Sequence, residues 1–349
     1  MATPTDTLTL PYAADFHVHL RHGDMMRMVT PTLRSGGVNV AYVMPNLVPP
    51  IKTTEEALRY KAELEAIEPR VTYLMTLYLT PELTPEEIHK AAAAGIAGVK
   101  SYPRGVTTNS DAGVESYEIY YPVFEAMEAC GMVLNLHGEV PSDADKGVCV
   151  LNAEEKFLPW LRTLHERFPR LRIVLEHATT KAAVDMVKSL GDTVGCTITA
   201  HHLCLVVDDW AGKPHSFCKP VAKYPYDRQA LRDVVKEGHP RFFLGSDSAP
   251  HTRNTKECAQ ACAGVYTTPA LVPYLAALFD ELNCLDKLQG FACDFGRRFY
   301  GVQAGLDEGA MTLKRGNWEV PSVYAAATEN GSLEVVPFKA GQKLGWQLQ

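Results

Sequence analysis

The segment Asp15-Phe16-His17-Val18-His19-Leu20-Arg21 sets two imidazoles two residues apart. The two-residue alternation of a β-strand would turn both to one side, where they could share a metal ion. Further potential ligands end other apolar runs: His137 after Asn135-Leu136, His177 after Leu175-Glu176, and Asp247 after Leu244-Gly245-Ser246. Imidazole nitrogens with a carboxylate oxygen suit zinc, and a coordination position left open would carry a reactive water. Taken singly, each has an ordinary alternative, a hydrogen-bonded buried histidine or, for Asp247 ahead of Ser248, a turn carboxylate. Their shared place at strand ends is what joins them.

Lys100 closes the run Ala97-Gly98-Val99-Lys100, an apolar approach on which a free ammonium is poorly solvated and its pKa is drawn down. A neutral lysine can add carbon dioxide, lose a proton and become a carbamate whose two oxygens would bridge two cations. The alternative is a lysine that sends its ammonium to solvent or pairs with Asp247.

These residues need strands to carry them, and eight short apolar runs can be marked off: residues 13–18, 38–44, 71–79, 97–101, 132–136, 172–175, 195–199 and 241–245. Helices fall between several of them. Thr53 with Glu56, and Thr84 with Pro85 and Glu87, each predict a capping box. Ala57, Tyr60, Leu64 and Ile67 share one helical face, as do Phe157, Leu161, Leu164 and Phe168 after Asn152. Asp227 is expected to open a helix that stops at Gly238, and Gly191 to end one that begins near Thr180. Strand and helix alternate without a composition break, which favours an α/β fold of the (β/α)8 TIM-barrel type over a doubly wound sheet. In such a barrel the carboxyl ends of the strands form one ring. His17, His19, His137, His177 and Asp247 would converge there. From about residue 305 to 349 the rhythm breaks, predicting a C-terminal appendage to a single barrel domain spanning 1–349.

The chain has 349 residues, 46% hydrophobic and 21% charged, enough for one barrel with a large core. With 34 basic against 41 acidic side chains and no long basic block, nucleic acid is not an expected partner. The first ten residues lack the pattern of a secretory signal, and no apolar stretch is long enough to span a bilayer, so a cytoplasmic protein without membrane attachment is expected. The nine cysteines match no common zinc or redox spacing and read as reduced thiols.

The order DFHVHLR at 15–21, MPN at 44–46, GVKSYP at 98–103, TTNS at 107–110, His137, EHATT at 176–180 and GSDSAPH at 245–251 resembles the dihydroorotases of the amidohydrolase superfamily, most closely the single-function type. The resemblance covers nearly the whole chain. It implies two Zn2+ ions bridged by carboxylated Lys100 and a hydroxide, one ion on His17, His19, Lys100 and Asp247, the other on Lys100, His137 and His177. It implies reversible closure of N-carbamoyl-L-aspartate to L-dihydroorotate, a step of pyrimidine biosynthesis, with Asp247 moving the proton. It also implies that Arg21, Asn46 and His251 hold the substrate carboxylate, with His137 and the backbone near Lys219 and Ala263 also in contact. Thr107 and Thr108 would sit on a closing lid, and the chain would pair as a homodimer. Lys219 departs from the pattern, which has an apolar side chain there. A hydantoinase or allantoinase would use much the same metal set but has no need of a carboxylate grip, and a scaffold relative would have lost ligands.

Overall fold

The computed structural model describes residues 6–305, 309–329 and 331–349. The start of the expected appendage at 306–308, and the first five residues of the chain, on which the expectation of no secretory signal partly rests, lie outside them. All eight expected strands are present: Ala13–Val18, Val38–Val43, Thr72–Leu74 with Thr76–Tyr78, Gly98–Ser101, Val133–His137, Arg172–Glu176, Val194–Ile198 and Phe242–Leu244. The third differs from expectation because it breaks at Met75. Its first half pairs with the second strand and its second half with the fourth, all in parallel. The ring closes between the eighth and first strands, where Asp247 N donates to His17 O at 2.8 Å and His19 N to Ser248 O at 3.0 Å.

Alternation sorts the strand side chains into two cores. Leu134, Leu136, Ile173, Leu175, Phe242 and Leu244 pack outward against the helices, while Ala14, Phe16, Val40, Tyr42, Val133, Val174, Phe243 and Tyr300 fill the barrel. Phe16 stacks on Tyr300 with ring centroids 4.6 Å apart. Asn135 crosses this interior, accepting from Tyr42 Oη at 2.6 Å and donating to Glu176 Oε1 at 2.5 Å. The barrel therefore has a packed floor, and polar residues rise from it toward the mouth.

Thr53 and Glu56 form the predicted capping box of helix Thr54–Ile67. The second predicted box is only half made. Thr84 accepts from Glu87 N at 3.3 Å, but Glu87 Oε1 turns to the neighbouring helix and accepts from Thr54 N and Thr54 Oγ1. Helix Pro225–Glu237 starts before Asp227, whose carboxylate accepts from Lys181 N at 2.8 Å. It stops at Gly238, as expected, with φ +72°. Gly191 does not end helix Lys181–Ser189. The chain leaves that helix in an extended conformation at Leu190, so no left-handed residue is required.

Residues from 309 onward form strands Ala310–Glu319 and Lys343–Leu348 and the hairpin Tyr324–Thr328 with Gly331–Val335. Ala310–Glu319 is the middle strand of an antiparallel sheet, with Lys343–Leu348 on one side and Thr7–Pro11, from the other end of the chain, on the other. Helix Leu271–Glu281 packs beneath this sheet, where Arg315 grips Asp280 with two hydrogen bonds of 2.6 and 2.8 Å over buried Trp346.

Candidate functional site

The carboxyl ends of the strands surround a cavity of about 340 Å3, counted to its open mouth. His17, His19, Arg21, Asn46, Thr107, Thr108, His137, His177, Lys219, Asp247 and Ala263 line it. Lys100 lies buried at its base and His251 against its wall. Thus every residue singled out in the sequence gathers at one end of the barrel.

Three histidines have their tautomers set by acceptors behind them. His17 donates Nδ1–H to Glu176 Oε2 at 2.8 Å, His19 donates Nδ1–H to Asn46 Oδ1 at 2.8 Å, and His137 donates Nε2–H to Glu139 Oε2 at 2.8 Å. Each opposite nitrogen then presents a lone pair, and fixing imidazoles this way is how metal ligands are oriented. Burial lowers the pKa of His17 and of His137, in each case opposed by the acceptor carboxylate, and holds His19 and His177 well below the ordinary value. The rings are therefore neutral.

Those lone pairs face a carboxylate. Nε2 of His17 and Nε2 of His19 stand 3.5 and 3.1 Å from Asp247 Oδ1. Three electron-rich atoms so close repel one another unless a cation lies between them. Bond lengths of about 2.0–2.2 Å at a tetrahedral zinc would separate nitrogen and oxygen donors by about 3.3 Å, so these residues fit a metal ion.

Lys100 makes the same point from below. Its Nζ is buried and makes no hydrogen bond among the described residues, so it neither reaches solvent nor binds Asp247 directly. Burial brings its pKa down to about 8, opposed by the charges of Glu176 and Asp247. A neutral amine is accessible there, and leaving it unpaired is costly. His177 Nδ1 is likewise buried without a partner. Burial raises the pKa of Asp247, opposed by His17, and its backbone is held at φ +44°.

Strand alternation does not extend to Arg21. The strand ends at Val18, and Arg21 adopts φ +63° in the following turn, its carbonyl held by Tyr60 Oη at 2.5 Å. That turn brings the guanidinium to Pro250 O at 3.0 Å and His251 Nε2 at 3.2 Å. His251 Nε2 is also 3.0 Å from Ala263 O, across Gly264, where a Cβ would come within 2.3 Å of Ala249 O. Only glycine lets these two segments approach so closely.

The loop bearing Thr107 and Thr108 lies over the cavity, tied to its rim through main-chain carbonyls. Asn46 Nδ2 donates to Thr108 O at 3.1 Å, Tyr78 Oη to Asn109 O at 3.2 Å and Lys219 Nζ to Val106 O at 2.7 Å. The Lys219 ammonium is thus engaged by the loop.

Sequence reasoning passed over the residues behind this surface. Glu176 was visible only as part of EHATT. It accepts from Asn135, His17 and Thr197; burial pushes its pKa up, but the neighbouring His17 and Lys100 and the hydrogen bonds from His17 and Thr197 bring it below the ordinary carboxylate value. Asp15 accepts from Ser246 N at 2.7 Å and so fastens the first strand to the turn carrying Asp247. Glu139 and Tyr102, whose buried hydroxyl has no partner, each lie two residues beyond a named ligand and carried no signal except that spacing.

Comparison with known proteins agrees with this architecture. The Amidohydrolase family signature matches residues 15–189. A dihydroorotase of Mycosarcoma maydis is 52% identical, with 98% of each chain covered. The crystal structure of a Saccharomyces cerevisiae dihydroorotase in complex with 5-fluoroorotic acid superposes with a TM-score of 0.94 at 45% identity over 99% of both chains. An L-hydantoinase of Arthrobacter aurescens, covering 98% of this chain and 83% of its own, superposes with a TM-score of 0.82 at 19% identity and shares the fold alone. The barrel, the residues gathered at its mouth and the full-length similarity together establish that this chain belongs to the dihydroorotase family of amidohydrolases.

Proposed function

We propose that the chain interconverts L-dihydroorotate and N-carbamoyl-L-aspartate at the barrel mouth, on the route to pyrimidine nucleotides. His17, His19, carboxylated Lys100 and Asp247 would hold one zinc ion, and Lys100, His137 and His177 a second. When bound, such a pair acidifies water and polarises a carbonyl. The observation that carries the reading is the unpaired, buried Lys100 Nζ beneath imidazole and carboxylate groups already turned toward one another.

The chain's own groups supply the rest. Asp247, whose proton affinity burial raises, would take a proton from the attacking water as the new C–O bond forms. It would return that proton to the ring nitrogen as the C–N bond breaks. In the other direction Asp247 would take the ureido N–H proton as that nitrogen attacks the side-chain carboxyl, and would pass it to the oxygen as the C–O bond breaks. Arg21, with His251 and Asn46 beside it, would hold the substrate's free carboxylate. A hydantoin ring lacks that group, so this grip favours dihydroorotate. Thr107 and Thr108, on the loop over the cavity, would hydrogen-bond the ligand and exclude bulk water. Residues 1–349 would act as one barrel domain with its appendage, in the cytosol and as a homodimer, the last testable by sedimentation.

The decisive assay follows ultraviolet absorbance as metal-replete protein opens dihydroorotate, with hydantoin and dihydrouracil in parallel. Opening should be selective for dihydroorotate. Arg21→Ala should raise KM by about 10–100-fold, the worth of charge-assisted hydrogen bonds. Equal turnover of all three rings, or an unchanged KM, would overturn the assignment.

A further inference from the structure

The seventh barrel strand, Val194–Ile198, runs on into Thr199-Ala200-His201-His202, and the chain returns past this point at Cys218. His201, His202 and Cys218 are all buried, and one ligand atom from each lies within 4.8 Å of the other two. None of the three lines the cavity at the mouth.

Two observations set this cluster apart from an ordinary polar core. Both ring nitrogens of His201 are buried without a hydrogen-bond partner among the described residues, leaving a donor and an acceptor unpaired at about 1–3 kcal/mol each. Meanwhile Cys218 Sγ lies 3.5 Å from His202 Nε2. A tetrahedral zinc with sulfur at about 2.3 Å and nitrogen at about 2.0 Å holds that pair about 3.5 Å apart. Pro220 O accepts from His202 Nε2–H at 2.9 Å and from Cys218 Sγ–H at 3.2 Å, while Thr199 Oγ1 donates to His202 Nδ1 at 2.9 Å.

We propose that His201, His202 and Cys218 form a separate site for a thiophilic divalent cation such as zinc. On binding, the Cys218 S–H bond breaks, its proton leaves to solvent and the thiolate pair is donated to the cation. The His202 proton moves from Nε2, where Pro220 O accepts it, to Nδ1, where Thr199 Oγ1 turns a lone pair toward it, and the freed Nε2 lone pair is donated to the cation. His201 gives one nitrogen, which relieves half of its unpaired state. Burial holds the Cys218 thiol far above its ordinary pKa, so without a cation it is a thiol rather than a reactive thiolate. Occupancy should therefore fall steeply as pH falls. This inference does not depend on the reaction at the mouth.

Cobalt(II) titration of the full-length protein, with its resident metal retained, tests the site. No sulfur belongs to the ligand set at the mouth, so a thiolate-to-cobalt charge-transfer band reports on Cys218 rather than on that centre. Wild type should take up a single further equivalent with this band. Cys218→Ser should abolish it, Cys130→Ser should leave it intact, and His201→Gln should weaken cobalt binding by about 10–100-fold or more. Absence of the band in wild type, or its persistence in Cys218→Ser, overturns the proposal. Should Cys218→Ser not fold, an unchanged titration in His201→Gln overturns it equally.

Discussion

On the barrel floor, Phe16, Tyr42, Phe243 and Tyr300 pack ring against ring, and Asn135 satisfies the tyrosine hydroxyls between them. Toward the carboxyl ends of the strands, Lys100 Nζ, Tyr102 Oη and His177 Nδ1 are buried without partners among the described residues, and Arg21, His177 and Asp247 adopt positive φ. The floor follows the rules of stable packing, and the mouth breaks several of them at once. Each unpaired group or strained residue costs about 1–3 kcal/mol, so the mouth persists only because the floor and the outer helices over-determine the backbone there. The contrast teaches that stability and chemistry occupy different heights of one barrel.

The largest expected effect lies at the mouth. Asp247→Asn should lower kcat by about 10^2–10^4-fold, the usual worth of a positioned proton carrier. In metal-free protein thermal stability should hold or rise, since a buried carboxylate is removed. A melt and a kinetic assay on the same preparation decide this, and a variant that unfolds in step with its lost activity would contradict the division.

At the floor the opposite is expected. Phe243→Ala removes a fully buried ring that packs against Phe16, and should cost about 3–5 kcal/mol in denaturant unfolding. Where the variant remains folded, its KM should match wild type. A shifted KM in a folded sample would show that floor packing sets the mouth geometry.

The same division explains what the sequence disclosed. Eight strands were legible because Leu134, Leu136, Ile173 and Leu175 repeat at period two, and the histidines ending those strands kept one register. The break at Met75 was not legible, because nothing in the apolar run 71–79 marks where pairing changes partners. Thr7–Pro11 was missed for another reason: its place is set by Ala310–Glu319, some 300 residues away, and no local pattern records such a partner. The ligands at the mouth carried motifs, while Glu139, Glu176 and Asp15 act through them and look like ordinary acidic residues. Gly191 failed as a helix stop because the chain could leave Leu190 extended.

Glu154 sharpens the comparison through pH. It is buried in the first turn of helix Ala153–Arg167 and accepts from Thr179 N at 2.8 Å, close behind His177. Burial raises its pKa to about 7, partly offset by Lys223. An acid that binds its proton more tightly when folded contributes most at low pH. That contribution is full below about pH 4.5, declines as pH rises to about 7 and is level above. Linkage puts the decline at about 3 kcal/mol. Glu154→Gln should remove it, seen as a flatter dependence of unfolding free energy on pH; identical profiles would show that folding does not shift the Glu154 pKa.

The smallest effect concerns Lys219, where a family expectation and the geometry diverge. The resemblance calls for an apolar side chain there, yet the ammonium is half-buried and donates to Val106 O on the loop over the cavity. If this bond helps hold the loop closed, Lys219→Leu should cost about 1 kcal/mol of the closed state, read as about a fivefold rise in KM and faster amide exchange across residues 104–113. The substituted leucine restores the apolar character the resemblance expects, so packing should survive. Unchanged KM and exchange would mean that position 219 serves the site through its main chain alone. The mouth's closure would then rest on Asn46 and Tyr78, whose bonds to Thr108 O and Asn109 O reach the same loop from the opposite side of the chain's order.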